Sequence, residues 1–159
     1  MQYRNIDNLN IENARILFRN FSGKENKYNR AGVRNFCVVI DNALTVNQLT
    51  NDGWNVRMLN PREADDEPTY YIPVAVSFEH IPPKVFLISG RQKTQLDAES
   101  IATLDYAEIK NIDLTLRPYQ WDVQEKSGVK AYLKTMYVTI EEDIFEQKYE
   151  EELPLELPF

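Results

Sequence analysis

The sequence predicts a mainly β domain folded as a small barrel or a strongly curved sheet. Two observations lead to this prediction. Apolar residues make up 43% of the 159 residues, which suits one domain with its own core. Most apolar runs are short, rich in β-branched and aromatic residues, and end at turn-forming residues. A β-sandwich is the alternative that this pattern leaves open.

The first half of the chain contains three runs with strand character. Each run is bounded by residues that favour turns, such as Ser-Gly or Asp-Asn. The runs are ARILFRNF (14–21), RNFCVVID (34–41) and, as a weaker candidate, WNVRMLN (54–60).

A short helix is predicted between the second and third runs. Thr45 is suited to cap it, and Val46 and Leu49 lie three residues apart, which places them on one face. Gly53 can end the helix. Residues 61–69 are polar, with a proline near each end, and are predicted to form a solvated loop.

The second half of the chain predicts two hairpins. One pairs YYIPVAVSFE (70–79) with KVFLIS (84–89), and Pro73 is expected to keep its strand near a sheet edge. The other pairs IDLTLRPYQW (112–121) with KAYLKTMYVTI (130–140) across a turn at 122–128.

Two further short segments have helical character. Asp97 is expected to cap a short helical turn, and residues 141–150 are a further helix candidate. Six or seven short strands with one or two small helices are typical of the oligonucleotide-binding barrel, the OB-fold. We therefore expect an OB-fold-like domain over residues 1–140 and a disordered acidic tail over 141–159.

The charge of the chain is unevenly distributed. The net charge is −7, yet residues 1–140 contain 17 basic and 17 acidic residues, so residues 141–159 carry the whole excess. Residues 15–34 hold six cations against the single acid Glu25. Such a locally basic body with an acidic tail is compatible with a polyanionic partner.

Several functional classes find little support in the sequence. The chain has no apolar run long enough to span a membrane and no signal peptide at its N-terminus, so we expect a cytoplasmic protein. His80 is interpreted as a turn residue and Cys37, the only cysteine, as a buried core thiol. The acidic residues Glu63, Asp65, Asp66 and Glu67 are interpreted as part of a solvated loop and not as a metal site. We expect no enzymatic activity, no cofactor and no metal.

The second predicted hairpin has two chemically different faces. Alternation places Arg117, Tyr119 and Trp121 on one face of its first strand, opposite the apolar residues. On the return strand Lys130, Tyr132 and Lys134 share one face, and Val129, Ala131 and Leu133 share the opposite, apolar face. Rings between cations suit single-stranded nucleic acid, because bases stack on the rings and the cations neutralise phosphates. The alternative is that these rings cover a second small core under lysine stems.

A basic loop, residues 23–34, repeats this combination between the first two strands. Together with the residues before it, this loop and the hairpin supply the predicted nucleic-acid contacts. These are Arg15, Arg19, Lys24, Lys27, Tyr28, Arg30, Arg34, Arg117, Tyr119, Trp121, Lys130, Tyr132 and Lys134. A polar hairpin loop with incidental charge is the alternative for residues 23–34.

Three phrases of the chain carry a resemblance to a known family. RNFSG (19–23), DGWNV (52–56) and KAYL (130–133), with their surroundings from about Arg15 to Lys148, resemble single-stranded DNA-binding proteins of tailed bacteriophages. The resemblance implies an OB-fold without a cofactor that coats exposed single strands during replication and recombination.

The last ten residues, EEELPLELPF, resemble the acidic tip of bacterial single-stranded DNA-binding proteins, which also ends on Pro-Phe. The resemblance implies that Pro158 and Phe159 bind replication or recombination proteins, and that the tail competes with DNA for the basic site. The leucines at 153, 155 and 157 interrupt the acids and depart from that tip. The sequence does not determine the oligomeric state, and a homo-oligomer is one of the options. It also does not determine whether the protein prefers DNA or RNA.

Two other functions remain as alternatives at this point. One is a phage structural or protein–protein interaction module, in which the aromatic face and the acidic tail would be interfaces. The other is a nuclease or recombination enzyme that would hold a metal in its acidic loop.

Overall fold

The computed structural model describes residues 5–141. The described chain contains nine strands, one α-helix and one 3-10 helix. The strands are β1 (Leu9–Ile11), β2 (Ile16–Asn20), β3 (Arg34–Ile40), β4 (Arg57–Leu59), β5 (Thr69–Val76), β6 (Lys84–Ser89), β7 (Gln92–Leu96), β8 (Ile109–Val123) and β9 (Lys126–Ile140). The helices are α1 (Ala43–Asn51) and a 3-10 helix (Ile101–Asp105). Apart from Glu141, the predicted helix at 141–150, the tail and the Pro158–Phe159 tip lie outside the described residues.

All nine strands belong to one sheet, whose main path runs β1-β8-β9-β5-β3-β2. The two ends of this path, β1 and β2, follow one another in the sequence. Where they join, the Ala14 N–H donates to the Ile112 carbonyl of β8 (2.7 Å) and the Val39 N–H of β3 donates to the Arg15 carbonyl (2.9 Å). This segment therefore bridges β8 and β3 and closes the sheet into the predicted OB-fold-like barrel.

Strand β9 organises the barrel through its two edges. One edge pairs with β8 along the whole strand. The other edge pairs in parallel first with β5, at Ala131–Tyr132, and then with β6, at Thr135–Thr139. The predicted hairpin between residues 70–79 and 84–89 is therefore wrong. Two strands that follow one another along the same edge of a third strand cannot pair with each other.

Pro73 lies inside the sheet, so the expectation of an edge position is also wrong. It pairs with Cys37 of β3. On the other side of β5, pairing with β4 ends at Tyr71 and pairing with β9 begins at Val74. Because proline has no N–H to donate, this gap in the second ladder accommodates it.

Helix α1 confirms the predicted apolar face but corrects the cap. Asn42 is the N-cap, and its Oδ1 accepts hydrogen bonds from the N–H groups of Leu44 (2.8 Å) and Thr45 (3.3 Å). Asparagine caps a helix as well as serine or threonine does, so the helix begins earlier than predicted. Val46 and Leu49 are buried, as expected.

The predicted turn at Asp97 is present and leads into the 3-10 helix. The Asp97 Oδ1 accepts hydrogen bonds from the N–H groups of Glu99 (3.0 Å) and Ser100 (2.9 Å). The helix itself starts after Ser100, which makes no side-chain cap hydrogen bond to it.

The β8–β9 hairpin is confirmed, with a tighter turn than predicted. Gln124 and Glu125 form the two-residue connection, with φ angles of +50° and +67°. Positive φ at both central residues is what a type I′ hairpin turn requires, although Gln-Glu lacks the usual Asn-Gly signal. The core lies inside the barrel and is filled by alternate residues of the long strands, such as Phe36, Ile72 and Leu133.

Candidate nucleic-acid interface

An open cleft of about 1470 Å³ lies over the outer face of β3 and β5. Its floor includes Cys37, Pro73 and Ala75, which alternate with the buried core residues of the same two strands. The basic loop connects β2 to β3 on one side of this floor. The β8–β9 hairpin lies on the other side, beside β5.

The basic loop is held by hydrogen bonds of its own backbone. Asn26 and Asn29 exchange a pair of bonds at 2.9 and 3.2 Å, and the Gly32 N–H donates to the Gly23 carbonyl at 2.8 Å. A Cβ on Gly23 would lie 3.1 Å from the Gly32 backbone, and its φ of +72° also favours glycine. The sequence therefore builds a closed loop at the rim of the cleft.

This loop presents Tyr28 to solvent. The side chain is 88% exposed and lines the cleft, and the Lys27 Nζ lies 5.7 Å from the ring centroid. Lys24 also lines the cleft, and its backbone is held at both ends by the side chain of Asn20, at 3.0 Å each. An exposed ring, Tyr28, and a lysine, Lys24, thus lie together at the rim of the cleft that the basic loop forms.

The hairpin supplies a second ring and a second lysine. Trp121 and Lys130 line the cleft together with Gly128, the cross-strand partner of Trp121. Next to Lys130, the Tyr132 ring has the Arg117 guanidinium carbon 5.0 Å and the Lys130 Nζ 5.1 Å from its centroid. Tyr119 packs edge-on against Tyr132, with centroids 5.9 Å apart. The aromatic–cation face predicted for the hairpin is present on the outside of the barrel.

A third exposed ring comes from an irregularity in β2. The register of β2 against β3 shifts between Leu17 and Asn20, and Phe18 has a φ of +52°. Its side chain is 62% exposed, lines the cleft and packs edge-on against Tyr71 at 6.2 Å. A non-glycine residue in this conformation is strained, and such strain is commonly found at functional sites.

Tyr106, 76% exposed, brings a fourth ring to the cleft from the end of the 3-10 helix. The neighbouring carboxylate of Asp105 fixes its position relative to the basic loop. Asp105 accepts hydrogen bonds from the N–H groups of Phe21 (2.7 Å) and Ser22 (2.9 Å), at the base of that loop. The helix and the loop are therefore tied together across one end of the cleft.

Arg19 and Arg34 line the cleft but already have structural contacts. The Arg19 Nη1 donates to the carbonyls of Leu104 (2.8 Å) and Ala107 (3.0 Å) and so holds the 3-10 helix to β2. The Arg34 Nη2 donates to the Ala98 carbonyl at 3.1 Å. Both arginines hold the walls of the cleft as well as adding positive charge to it.

The structure brings six of the thirteen predicted contact residues into the cleft. These are Arg19, Lys24, Tyr28, Arg34, Trp121 and Lys130. Arg117, Tyr119 and Tyr132 form the cluster beside Lys130. Arg15, Lys27, Arg30 and Lys134 are exposed but do not line the cleft.

Cys37 corrects one expectation. It is only partly buried and lies in the floor of the cleft, because its side chain is on the outer face of β3. Burial raises the pKa of the Cys37 thiol, and the nearby positive charge of Arg57 acts in the opposite direction. The interpretation as a core thiol is therefore wrong.

Four aromatic or basic residues that line the cleft and are not buried were not predicted from the sequence. They are Phe18, Arg57, Tyr71 and Tyr106. Phe18 and Tyr71 stand in runs that read as ordinary strands, and Tyr106 follows a helical turn. Strand alternation would have placed Tyr71 on the outer face, but a bulge such as the one at Phe18 leaves no clear sequence signal.

Within residues 5–141, no group of three or more His, Cys, Asp or Glu side chains is arranged to hold a metal ion. In the same range, no helix is long and apolar enough to cross a membrane.

Residues 1–156 match the family described as "Putative phage ssDNA-binding domain". No curated protein sequence matches the chain.

Three solved structures with a similar fold are of the single-stranded DNA-binding protein from bacteriophage Enc34. The structure in complex with ssDNA has a TM-score of 0.56 at 10% identity, covering 86% of this chain and 88% of that one. The protein alone gives 0.53 at 11% identity, covering 86% and 82%. A C-terminal truncation gives 0.51 at 12% identity, covering 86% and 87%.

Proposed function

The chain belongs to this phage ssDNA-binding domain family, and we propose that it binds single-stranded DNA in the cleft over β3 and β5. The observation that carries the proposal is the combination of exposed rings and cations around this one cleft. Tyr28, Trp121, Phe18 and Tyr106 come from four separate elements and meet there. Surface rings without a binding role have no reason to converge in this way.

The position of the cleft supports the same function. Counting the joined β1–β2 segment as the first barrel strand, β3 and β5 are the second and third, and β8 and β9 the fourth and fifth. OB-folds bind oligonucleotides on the face of strands two and three, between the loops that join strands one to two and four to five. Here those loops are the basic loop and the tip of the β8–β9 hairpin.

The chemistry of the lining favours binding that tolerates any sequence. Every base has a flat face, so stacking on Trp121 or Tyr28 does not select among bases, and each stack contributes roughly 1–3 kcal/mol. Lys24 and Lys130 stand beside these rings and can neutralise phosphates. The solved Enc34 protein, whose fold this chain shares, was captured with ssDNA, which supports the same ligand here.

The remaining parts of the proposal concern the biological role. The protein acts in phage DNA replication and recombination, in the host cytoplasm, as a binding protein without catalytic activity. Residues 1–140 form the binding domain, and residues 141–159 form a tail that recruits replication or recombination proteins through Pro158 and Phe159. The excess negative charge of residues 141–159 supports this division.

A fluorescent oligonucleotide titration over a range of salt concentrations tests the binding function. Affinity for a single strand should exceed that for a duplex of the same sequence. It should fall by about 0.7 log units per log unit of salt for each phosphate neutralised. Trp121→Ala should weaken binding while the protein keeps its cooperative melt. A salt-independent affinity, or equal binding to both DNA forms, would contradict the proposal and favour a protein-interaction module.

A further inference from the structure

A second aromatic–cation cluster lies on the barrel far from the tip of the β8–β9 hairpin. Phe86 of β6 and Tyr137 of β9 are direct partners in the parallel ladder. Their rings stack with centroids 5.1 Å apart and planes 16° from parallel. The Lys93 Nζ of β7 lies 4.4 Å from the Phe86 centroid and 5.2 Å from the Tyr137 centroid.

The β6–β7 hairpin that carries this cluster is basic throughout. Residues 84–96 contain Lys84, Arg91 and Lys93 and no aspartate or glutamate. All three cations are exposed, and Tyr137 is 37% exposed. The local charge is therefore +3 over thirteen residues, beside a ring pair that remains accessible to solvent.

The cluster continues the outer face of β9 that begins at the cleft. Tyr132 and Tyr137 each lie between two buried neighbours in the sequence, so both side chains point away from the core. Lys134 lies between them, at the point where the partner on this edge of β9 changes from β5 to β6. Tyr132 and Tyr137 are five positions apart along β9, which corresponds to roughly 16 Å at about 3.3 Å per residue. A single strand bound in the cleft must extend by several nucleotides to cover this distance.

The carboxylate of Asp113 lies near this path and already accepts hydrogen bonds from other groups. Asp113 of β8 is the cross-strand partner of Tyr137. Its Oδ1 accepts from the Asn13 N–H at 3.0 Å and its Oδ2 from the Asn111 Nδ2 at 3.2 Å. The acid thus stands on the β8 side of Tyr137, whereas Lys93 stands on the β6–β7 side. A phosphate backbone would therefore pass on the side of Lys93.

We propose that the Phe86–Tyr137–Lys93 cluster is a second subsite for the same DNA strand. The strand would leave the cleft near Lys130 and follow the outer face of β9 over Lys134 to the β6–β7 hairpin. This inference rests on the proposed function, because it extends the path of a strand bound first in the cleft. Its consequence is that affinity grows with oligonucleotide length beyond what the cleft alone can hold.

A length series of oligothymidylates with the full chain tests this path. Lys93→Glu and Tyr137→Ala should bind the shortest oligonucleotides that fill the cleft as tightly as the wild type does. For strands long enough to reach the β6–β7 hairpin as well, both variants should lose about tenfold in affinity. Lys93→Glu changes an exposed side chain, so it tests the path even if Tyr137→Ala folds poorly. Arg62→Glu, the same charge reversal in the loop at 61–69 and outside both clusters, is the matched control.

The possible outcomes separate this inference from the proposed function. If the wild type does not bind single strands at all, the proposed function fails. If it binds, and Trp121→Ala weakens binding at every length while Lys93→Glu matches the wild type at every length, only the second subsite is wrong. An equal loss with Arg62→Glu would show a general charge effect and would also overturn the subsite. A change in oligomeric state with an unchanged length dependence would assign the cluster to contact between copies of the chain instead.

Discussion

Trp121 and Gly128 face each other across the β8–β9 hairpin, and the indole occupies the space that a side chain at position 128 would fill. They are direct cross-strand partners. A Cβ built on Gly128 would lie 2.9 Å from the Trp121 Cζ2 and 3.1 Å from its Cε2. The missing side chain therefore lets the ring lie against the return strand at the rim of the cleft.

Gly128→Ala should displace this indole. A contact of 2.9 Å is too close for a Cβ, so the ring must move away from the rim. We expect an altered tryptophan fluorescence spectrum and a loss of about fivefold or more in single-strand affinity, since one stacked base is worth roughly 1–3 kcal/mol. Val123→Ala, at an exposed position of the same hairpin that does not line the cleft, is the control. Unchanged affinity in Gly128→Ala would show that the ring position does not matter for binding.

Phe18→Gly should move stability and binding in different directions. The positive φ of Phe18 is strained for a side chain with a Cβ and free of strain for glycine, so the melting temperature should stay level or rise. The exposed ring is lost, so oligonucleotide affinity should fall about fivefold or more. Thermal melting and titration of the same sample give both values. A large drop in melting temperature would show that Phe18 is needed for packing.

Asp105→Asn should loosen the base of the basic loop. One of its two oxygens becomes an amide, so one of the N–H groups of Phe21 and Ser22 loses its acceptor. Leaving such a group unsatisfied costs about 1–3 kcal/mol. We expect a melting temperature lower by several degrees, together with weaker binding. Asp66→Asn, in the loop at 61–69, should change neither property; if both variants behave alike, the clamp has no special role.

Cys37 should report directly on occupation of the cleft. Because burial raises its pKa, less thiolate is present at neutral pH than for a free cysteine, and alkylation by iodoacetamide should be slower. The rate should then rise with pH over a range above that of a free thiol. Saturating oligonucleotide should slow it further, since the thiol lies in the cleft floor. Labelling measured by mass spectrometry tests this, and equal rates with and without DNA would place the strand elsewhere.

Deleting residues 150–159 should tighten single-strand binding at low salt and leave the melting temperature unchanged. The deletion removes Glu150, Glu151, Glu152 and Glu156, whose charges would compete with phosphate for the same cations. The effect should fade as salt rises, because the Debye length is only about 10 Å at 0.1 M. Titrations at two salt concentrations measure it. Weaker binding after deletion would make the segment part of the folded domain.

Phe159→Ala separates the two roles proposed for the tail. It leaves the acids in place, so DNA affinity should match the wild type. Recruitment of replication or recombination proteins from host lysate should be lost, because the ring that fills an apolar pocket on the partner is gone. Retained recruitment would assign partner binding to another part of the chain.

Local sequence patterns were enough to predict which side chains face the core and which face outward. Alternation on β9 predicted that Val129, Ala131 and Leu133 turn inward and Lys130 and Tyr132 outward, and the structure confirms it. The helical spacing of Val46 and Leu49 likewise predicted that both side chains lie on the apolar face of the helix, and both are buried. These faces follow from the geometry of a few consecutive residues, because side chains alternate in a strand and recur every three to four residues in a helix.

Which of these faces meet depends on the tertiary structure. The alternation of side chains does not show which strand lies next to which. The parallel pairing of β5 and β6 along one edge of β9 could therefore not be predicted, and a hairpin of these two strands was predicted instead. The register shift at Phe18 likewise depends on the fit of β2 against β3. Tyr106 reaches the cleft only because Asp105 ties the 3-10 helix to residues more than eighty positions away. Contacts between distant residues created the cleft, and no local pattern encodes them.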